Sequence, residues 1–122
     1  LWTRLGSKVI EMDADRHDRI FASVSHLPHL LAYAIIQAIA DSDSPEALGY
    51  SGAGLKDFSR IASSSPDMWA DIFLQNQGNI LLSIDAISDR ISKLREAITL
   101  NDREELVRLL SEAKDSKDRW VK

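Results

Sequence analysis

The stretch from His17 to Ala40, HDRIFASVSHLPHLLAYAIIQAIA, decides what this chain can become. Ile20, Val24, Leu27, Leu31, Ile35 and Ile39 recur at helical spacing, and Phe21, Leu30, Ala34 and Ala38 widen the same stripe. A helix apolar over so much of its circumference must be covered by other elements. Yet this stretch also holds all three histidines of the chain. A polar group inside a covered helix costs free energy unless it finds a partner. Pro28 lies inside the pattern. It has no N–H for the carbonyl four residues back, so the spacing predicts a kink near Val24 and Ser25. A kink there frees a carbonyl and opens a pocket beside His26 and His29. Asp13 or Asp15 supplies the helix cap, with acidic side chains at the positive end of the helix dipole.

The totals narrow the class. With 122 residues, 44% of them hydrophobic, the chain is one domain or a piece of one, with enough apolar side chains for a core. The longest candidate for a membrane span, Leu27 to Ala40, is too short and reads as a buried helix. No basic segment precedes an apolar one, so no secretory signal is expected. The net charge is −4 and the basic residues are scattered, which argues against a nucleic-acid partner. The absence of cysteine excludes disulfides and thiolate metal sites and suits a cytoplasmic setting.

Leu1 to Leu5 reads as the last turn of a helix, with Gly6 at the left-handed position after it. Lys8 to Met12 alternates and is rich in β-branched residues, the pattern of a short strand. No other segment carries a strand pattern. A helix followed by a lone strand is what remains of an α/β domain cut near its last strand, so residues 1–12 are expected to be such a tail and 13–122 a helical domain.

Further along, Tyr50 to Leu55 is glycine-rich and permits close backbone approach. Lys56 to Ala62 reads as a short helix or turn carrying Arg60. Ser65 as cap, Pro66 at the first helical position and Asp67 behind it mark a strong helix start. No clear stop follows until Leu100 and Asn101, and Gly78 is the one weak point. The run predicts a rod of roughly 50 Å at ~1.5 Å per residue. Ile80, Ile84, Ile87, Ile91, Leu94 and Ile98 alternate steps of four and three along it. That is a heptad seam, and a helix of this length asks for a second subunit along it. Asn101 or Asp102 caps a last helix, with Leu106, Leu109, Leu110 and Ala113 inward and Trp120 near its end. The fold class is all-α: a long kinked helix, a glycine-rich connector, a very long helix and a terminal helix.

Three chemical readings are open. His26 and His29 share a helix face, and Asp18 lies on roughly the same side. Two imidazoles and a carboxylate could bind a metal, as in a helical phosphohydrolase with a His-Asp pair like His17-Asp18; further ligands from other helices would be required. Periodicity alone favours the plainer reading, in which both histidines hydrogen-bond within the core. Arg60 could clamp a carboxylate with two parallel hydrogen bonds, or pair with Asp57 or Asp67 at the surface. Trp69 reads as an anchor in a core or an interface. A helical dimerisation module without chemistry is the third reading.

HDRIFASVSHLPHLLA, GAGLKDFSRIASSSPDMW and DIFLQNQGNIL, in this order, resemble the C-terminal helical domain of the prephenate and arogenate dehydrogenase family. The resemblance covers nearly the whole chain. It implies an NAD- or NADP-dependent oxidative decarboxylation in tyrosine biosynthesis. Hydride leaves the ring carbon that bears the hydroxyl, the ring carboxylate departs as carbon dioxide, and the ring becomes aromatic. The resemblance also implies a preceding nucleotide-binding domain that carries the catalytic histidine, and an intertwined homodimer of the helical domain. By motif position, Arg60 looks like the arginine that holds a substrate carboxylate. Ser25 and His29 look like pocket residues, and Ala53 stands at a backbone contact of the glycine-rich loop. Trp69 looks like the residue that reaches the neighbouring subunit's site, while His17 and His26 look structural.

Overall fold

The computed structural model describes residues 1–121. They are helical throughout, apart from turns and an extended start, and fall into two compact units, residues 1–83 and 84–122.

In the first unit a 3₁₀ turn over Thr3–Leu5 ends at Gly6, whose φ of 82° is the left-handed conformation expected there. Residues 8–12 form no strand. Strand patterning is satisfied only by a neighbouring strand, and no strand exists among the described residues. Helix α1 (Ala14–Phe21) begins at Asp13, whose carboxylate accepts the N–H of Arg16 at 2.8 Å. Helix α2 (Leu27–Ala40) follows without interruption of the coil. The two are joined through a π-helical turn over Ala22–His26, in which the N–H of Leu27 reaches back to the carbonyl of Ala22. The disturbance lies where Pro28 predicts it. A widened turn absorbs the missing donor while the helix runs on.

The covering of this helix differs from expectation. Ala22 and Ala32 are buried, but Val24 is 65% exposed and Phe21, Ala34, Ile35 and Ala38 also face outward. The whole run Ala14–Ala40 is long and apolar enough, by length and composition, to cross a membrane, which the shorter Leu27–Ala40 is not. Contacts to Asn76 from its first half and to Ser64 from its second bind it into this unit.

A 3₁₀ turn (Pro45–Tyr50) leads to helix α3 (Ala53–Ser59), and a further 3₁₀ turn (Arg60–Ser63) packs against α2. Helix α4 (Pro66–Gln75) starts as its sequence dictates, with Ser65 Oγ accepting the N–H of Met68. The single long rod is not formed. It breaks at Asn76, with φ −115° and ψ 32°, and resumes as α5 (Gln77–Thr99). The break falls at a buried asparagine and not at Gly78, because the Asn76 side chain is drawn inward to bond α1 and the π turn.

In the second unit α5 ends in a left-handed turn. Asn101 has φ 53°; its N–H reaches Ile98, and the N–H of Asp102 reaches Ala97. These paired bonds satisfy the last carbonyls of the helix. Asp102 then caps α6 (Arg103–Trp120) by accepting the N–H of Glu105. Leu109 is buried and Leu106 half-buried, but Leu110 and Ala113 are exposed, against expectation. They line an open groove of about 460 Å³ with Ile87, Arg90 and Leu94. Along the heptad seam Ile80 is buried and Ile91 and Ile98 are exposed.

Asn101 carries a β-carbon in a left-handed conformation that only short polar residues and glycine adopt readily. Asn101→Val should destabilise the protein by about 1–2 kcal/mol and Asn101→Gly should not. Denaturant unfolding of the two variants checks this.

Candidate functional site

The polar groups of the first unit converge where the π turn meets α4. His29 sits in the first turn of α2. Its Nδ1 lies 2.8 Å from the carbonyl oxygen of Ser25. A carbonyl only accepts, so Nδ1 carries the proton and the Nε2 lone pair is left free. The acceptor comes from the distorted segment itself. Trp69, in the first turn of α4, covers the other face of the imidazole: the rings stack 3.7 Å apart at 18°. Trp69 is 8% exposed, and its Nε1 is buried without a hydrogen-bond partner. Phe73, one turn on, packs beside it with centroids 5.7 Å apart.

His26 meets the edge of the same indole, 6.1 Å between centroids at 74°. Its Nδ1 accepts from Asn76 Nδ2 at 3.2 Å, so in the neutral ring the proton lies on Nε2. The second hydrogen of that amide goes to the carbonyl of Asp18 at 2.8 Å, and Asn76 Oδ1 accepts from Asn79 at 2.9 Å. Burial pushes the His26 imidazole below its ordinary 6.5. Asp18 opposes the shift, and His17 and His29 add to it.

Arg60 opens the 3₁₀ turn that packs on α2, with its side chain exposed. Tyr33, one turn beyond His29 on the same helix, donates to the carbonyl of Ser64 at 2.8 Å and holds the end of that turn. No carboxylate pairs with Arg60 among the described residues, so the surface bridges to Asp57 or Asp67 are not formed. Ser25 is half-buried beside His29, and Ala53 is exposed at the start of α3. His17 stays near the surface, stacked on Phe21 at 4.3 Å and 3.2 Å from Asp18 Oδ1. Among the described residues no group of three or more His, Asp or Glu side chains is placed to hold a metal.

The structure therefore joins Ser25, His29 and Trp69 directly, with Arg60 on a turn packed against the same helix. Two residues of this arrangement escaped the sequence reading, Asn76 and Tyr33. The signal for Asn76 was a polar, weakly helix-forming residue within an otherwise continuous apolar pattern. Tyr33 gave none, because a tyrosine on an apolar stripe looks like packing.

These elements define an all-α domain with a cluster of polar and aromatic side chains built on a distorted helix. The family described as "Prephenate dehydrogenase, dimerization domain" matches residues 13–112. The chain belongs to this family. It is 36% identical over 111 residues to a prephenate dehydrogenase of Bacillus subtilis, an alignment covering 89% of this chain and 30% of that protein. Among solved structures it is similar to the Aquifex aeolicus prephenate dehydrogenase in complex with hydroxyphenyl propionate and NAD+, with a TM-score of 0.86 and 39% identity over 97% of this chain and 42% of that one. The Synechocystis arogenate dehydrogenase has the same TM-score of 0.86 at 28% identity, over 98% of this chain and 44% of that one. The chain thus spans less than half the length of each of these proteins.

The lowered His26 value has a consequence for stability. Between 6.5 and that lower value the unfolded chain binds more protons than the folded one. Stability should therefore fall as the pH drops through 6.5 and level off below the folded value. His26→Gln should flatten this slope in denaturation midpoints measured from about pH 5 to 8.

Proposed function

We propose that this chain is the substrate-binding and dimerisation part of a cytoplasmic dehydrogenase. The enzyme carries out the NAD- or NADP-dependent oxidative decarboxylation of prephenate or arogenate in tyrosine biosynthesis. The observation that carries the reading is Arg60, a guanidinium paired with no carboxylate among the described residues, on the turn packed against the helix that presents His29. An always-charged planar donor holds a leaving carboxylate in place without giving it a proton. His29 offers Nε2 to the substrate, because Nδ1 is bound to the Ser25 carbonyl. The hydroxyl of Ser25 and the backbone at Ala53 complete the proposed lining. Trp69 packs on His29 of its own chain and so sets the wall of the pocket.

The residues present do not fit a dinucleotide. Gly52 and Gly54 lead into a seven-residue helix with no strand before it, which is not the strand–loop–helix unit that cradles a pyrophosphate. The nucleotide and the catalytic histidine are accordingly assigned to a separate nucleotide-binding domain, for which residues 1–12 are the proposed connection. The cofactor supplies the hydride acceptor for the ring carbon; this chain holds and orients the acid.

The uncovered apolar side chains support a homodimer. Val24, Leu74, Leu82, Ile91 and Ile98 are each more than half exposed in the single chain. A second copy is the proposed cover.

The test uses the full-length protein, with nucleotide reduction followed by near-ultraviolet absorbance for prephenate and arogenate, each with NAD and NADP. One productive pair is expected. Arg60→Ala should raise the KM for the acid by about tenfold to a hundredfold, the range for a charge-assisted hydrogen bond. An unchanged KM would remove Arg60 from the site. His29→Ala should weaken binding and leave the dimer intact. Ile91→Glu combined with Ile98→Glu should shift sedimentation toward the monomer, and an undisturbed dimer would place the interface elsewhere.

A further inference from the structure

The Asn76 amide is used on both sides. Its Nδ2 donates to the carbonyl of Asp18 and to His26 Nδ1, and its Oδ1 accepts from Asn79. The helix from Pro66 is broken to place it there, and the residue is 9% exposed. An interrupted helix in exchange for one buried amide is not what packing alone would select. One of its bonds, to His26, leads toward Trp69 and His29. Held by Asn76, the ring of His26 stands edge-on to Trp69 at 6.1 Å, and Trp69 lies flat on His29 at 3.7 Å. The Nδ1 edge of His29 is pinned by the Ser25 carbonyl, which belongs to the same π turn as His26.

We infer that Asn76 and His26 are positioning residues for the substrate site, acting through the edge of Trp69 to hold the His29 imidazole in the orientation that presents Nε2. This rests on the substrate-binding role given to His29 above. Neither Asn76 nor His26 needs to touch the substrate. Two contacts clamp His29, one a hydrogen bond and one a stacked ring, and a ring stacked on an indole keeps its angle only while the indole is held. Trp69 cannot be held by its own Nε1, which has no hydrogen-bond partner. What holds it is the packing of His26 and Phe73 against it. The acceptor at His26 Nδ1 keeps the ring in place, so an acceptor is the property that a substitute must retain.

The prediction separates positioning from bulk stability. In the full-length dehydrogenase, Asn76→Ala and His26→Leu should each raise the KM for the acid by about tenfold, the loss of one neutral hydrogen bond transmitted to the site. The KM for the dinucleotide should stay within about twofold of wild type, since a site displaced only for the acid leaves the other substrate alone. His26→Gln keeps an acceptor for Asn76 and should restore most of the affinity. A purely structural role would lower the amount of active enzyme and leave KM unchanged in all three variants, and that result would overturn the inference.

A second readout does not depend on activity. In nuclear magnetic resonance spectra of the wild-type protein, His29 should be the Nδ1–H tautomer and His26 the Nε2–H tautomer. The carbon-bound protons of His29 should be displaced upfield by the indole face. In His26→Leu that displacement should shrink. Its persistence at full size, or a His26 found as the Nδ1–H tautomer, would sink the positioning role. If the spectra behave as expected but wild-type enzyme reduces nucleotide with neither acid, the clamp stands and the assigned reaction fails. Should the Leu variant not fold, the tautomers of the wild type and the KM of His26→Gln still decide the matter.

Discussion

Pro28 has no N–H, and the polar cluster around His26 and His29 follows from that missing donor. A helix of ordinary pitch cannot pass it with every carbonyl satisfied. The chain widens into a π turn over Ala22–His26. Widening turns two histidines and a carbonyl toward the same place. His29 takes the Ser25 carbonyl, and His26 meets Asn76. One nitrogen of each of these two imidazoles is thereby matched, which lowers the cost of placing them inside an apolar helix.

The remaining elements serve to hold that helix. Asn76 ties its first half to the junction of α4 and α5, Ser23 meets the buried Ser83 of α5 at 3.2 Å, and Tyr33 ties its second half to the turn of Arg60. These are few bonds for a long helix. Much of its apolar surface is open in the single chain, so the stability of the isolated chain rests on limited burial. Hydrophobic stabilisation scales with apolar area removed from water. The surface left over is available to association. The ion pairs of α6, Arg108 with Glu105 and Glu112 and Lys114 with Asp118, lie on solvated surface and contribute little.

Local signals read correctly wherever one residue's chemistry settles the backbone. Asp13, Ser65 and Asp102 cap their helices, Gly6 takes the left-handed position, and Pro28 disturbs its helix where its ring demands. The readings that failed all depended on a partner. Lys8 to Met12 has the pattern of a strand but no second strand to pair with. Leu110 and Ala113 have the pattern of a core but no element over them within the chain. Of the candidate site, the motifs single out His29, Ser25, Trp69 and Arg60 as candidates, and the structure brings the first three into contact. Asn76 could not be singled out, because its bonds reach back 58 residues to Asp18 and 50 to His26.

By itself, then, the sequence determined where three of the helices are capped, where one of them is forced to distort, and which family the chain resembles. These follow from φ restrictions, caps and missing donors, which act within a few residues. Only the tertiary structure decided that the long rod breaks at Asn76 and not at Gly78, which groups face the Nδ1 atoms of His26 and His29, and which apolar faces stay open. Each of those outcomes turns on which distant group arrives opposite a given side chain. A hydrogen bond or a buried contact across tens of residues has no periodicity for a sequence to display.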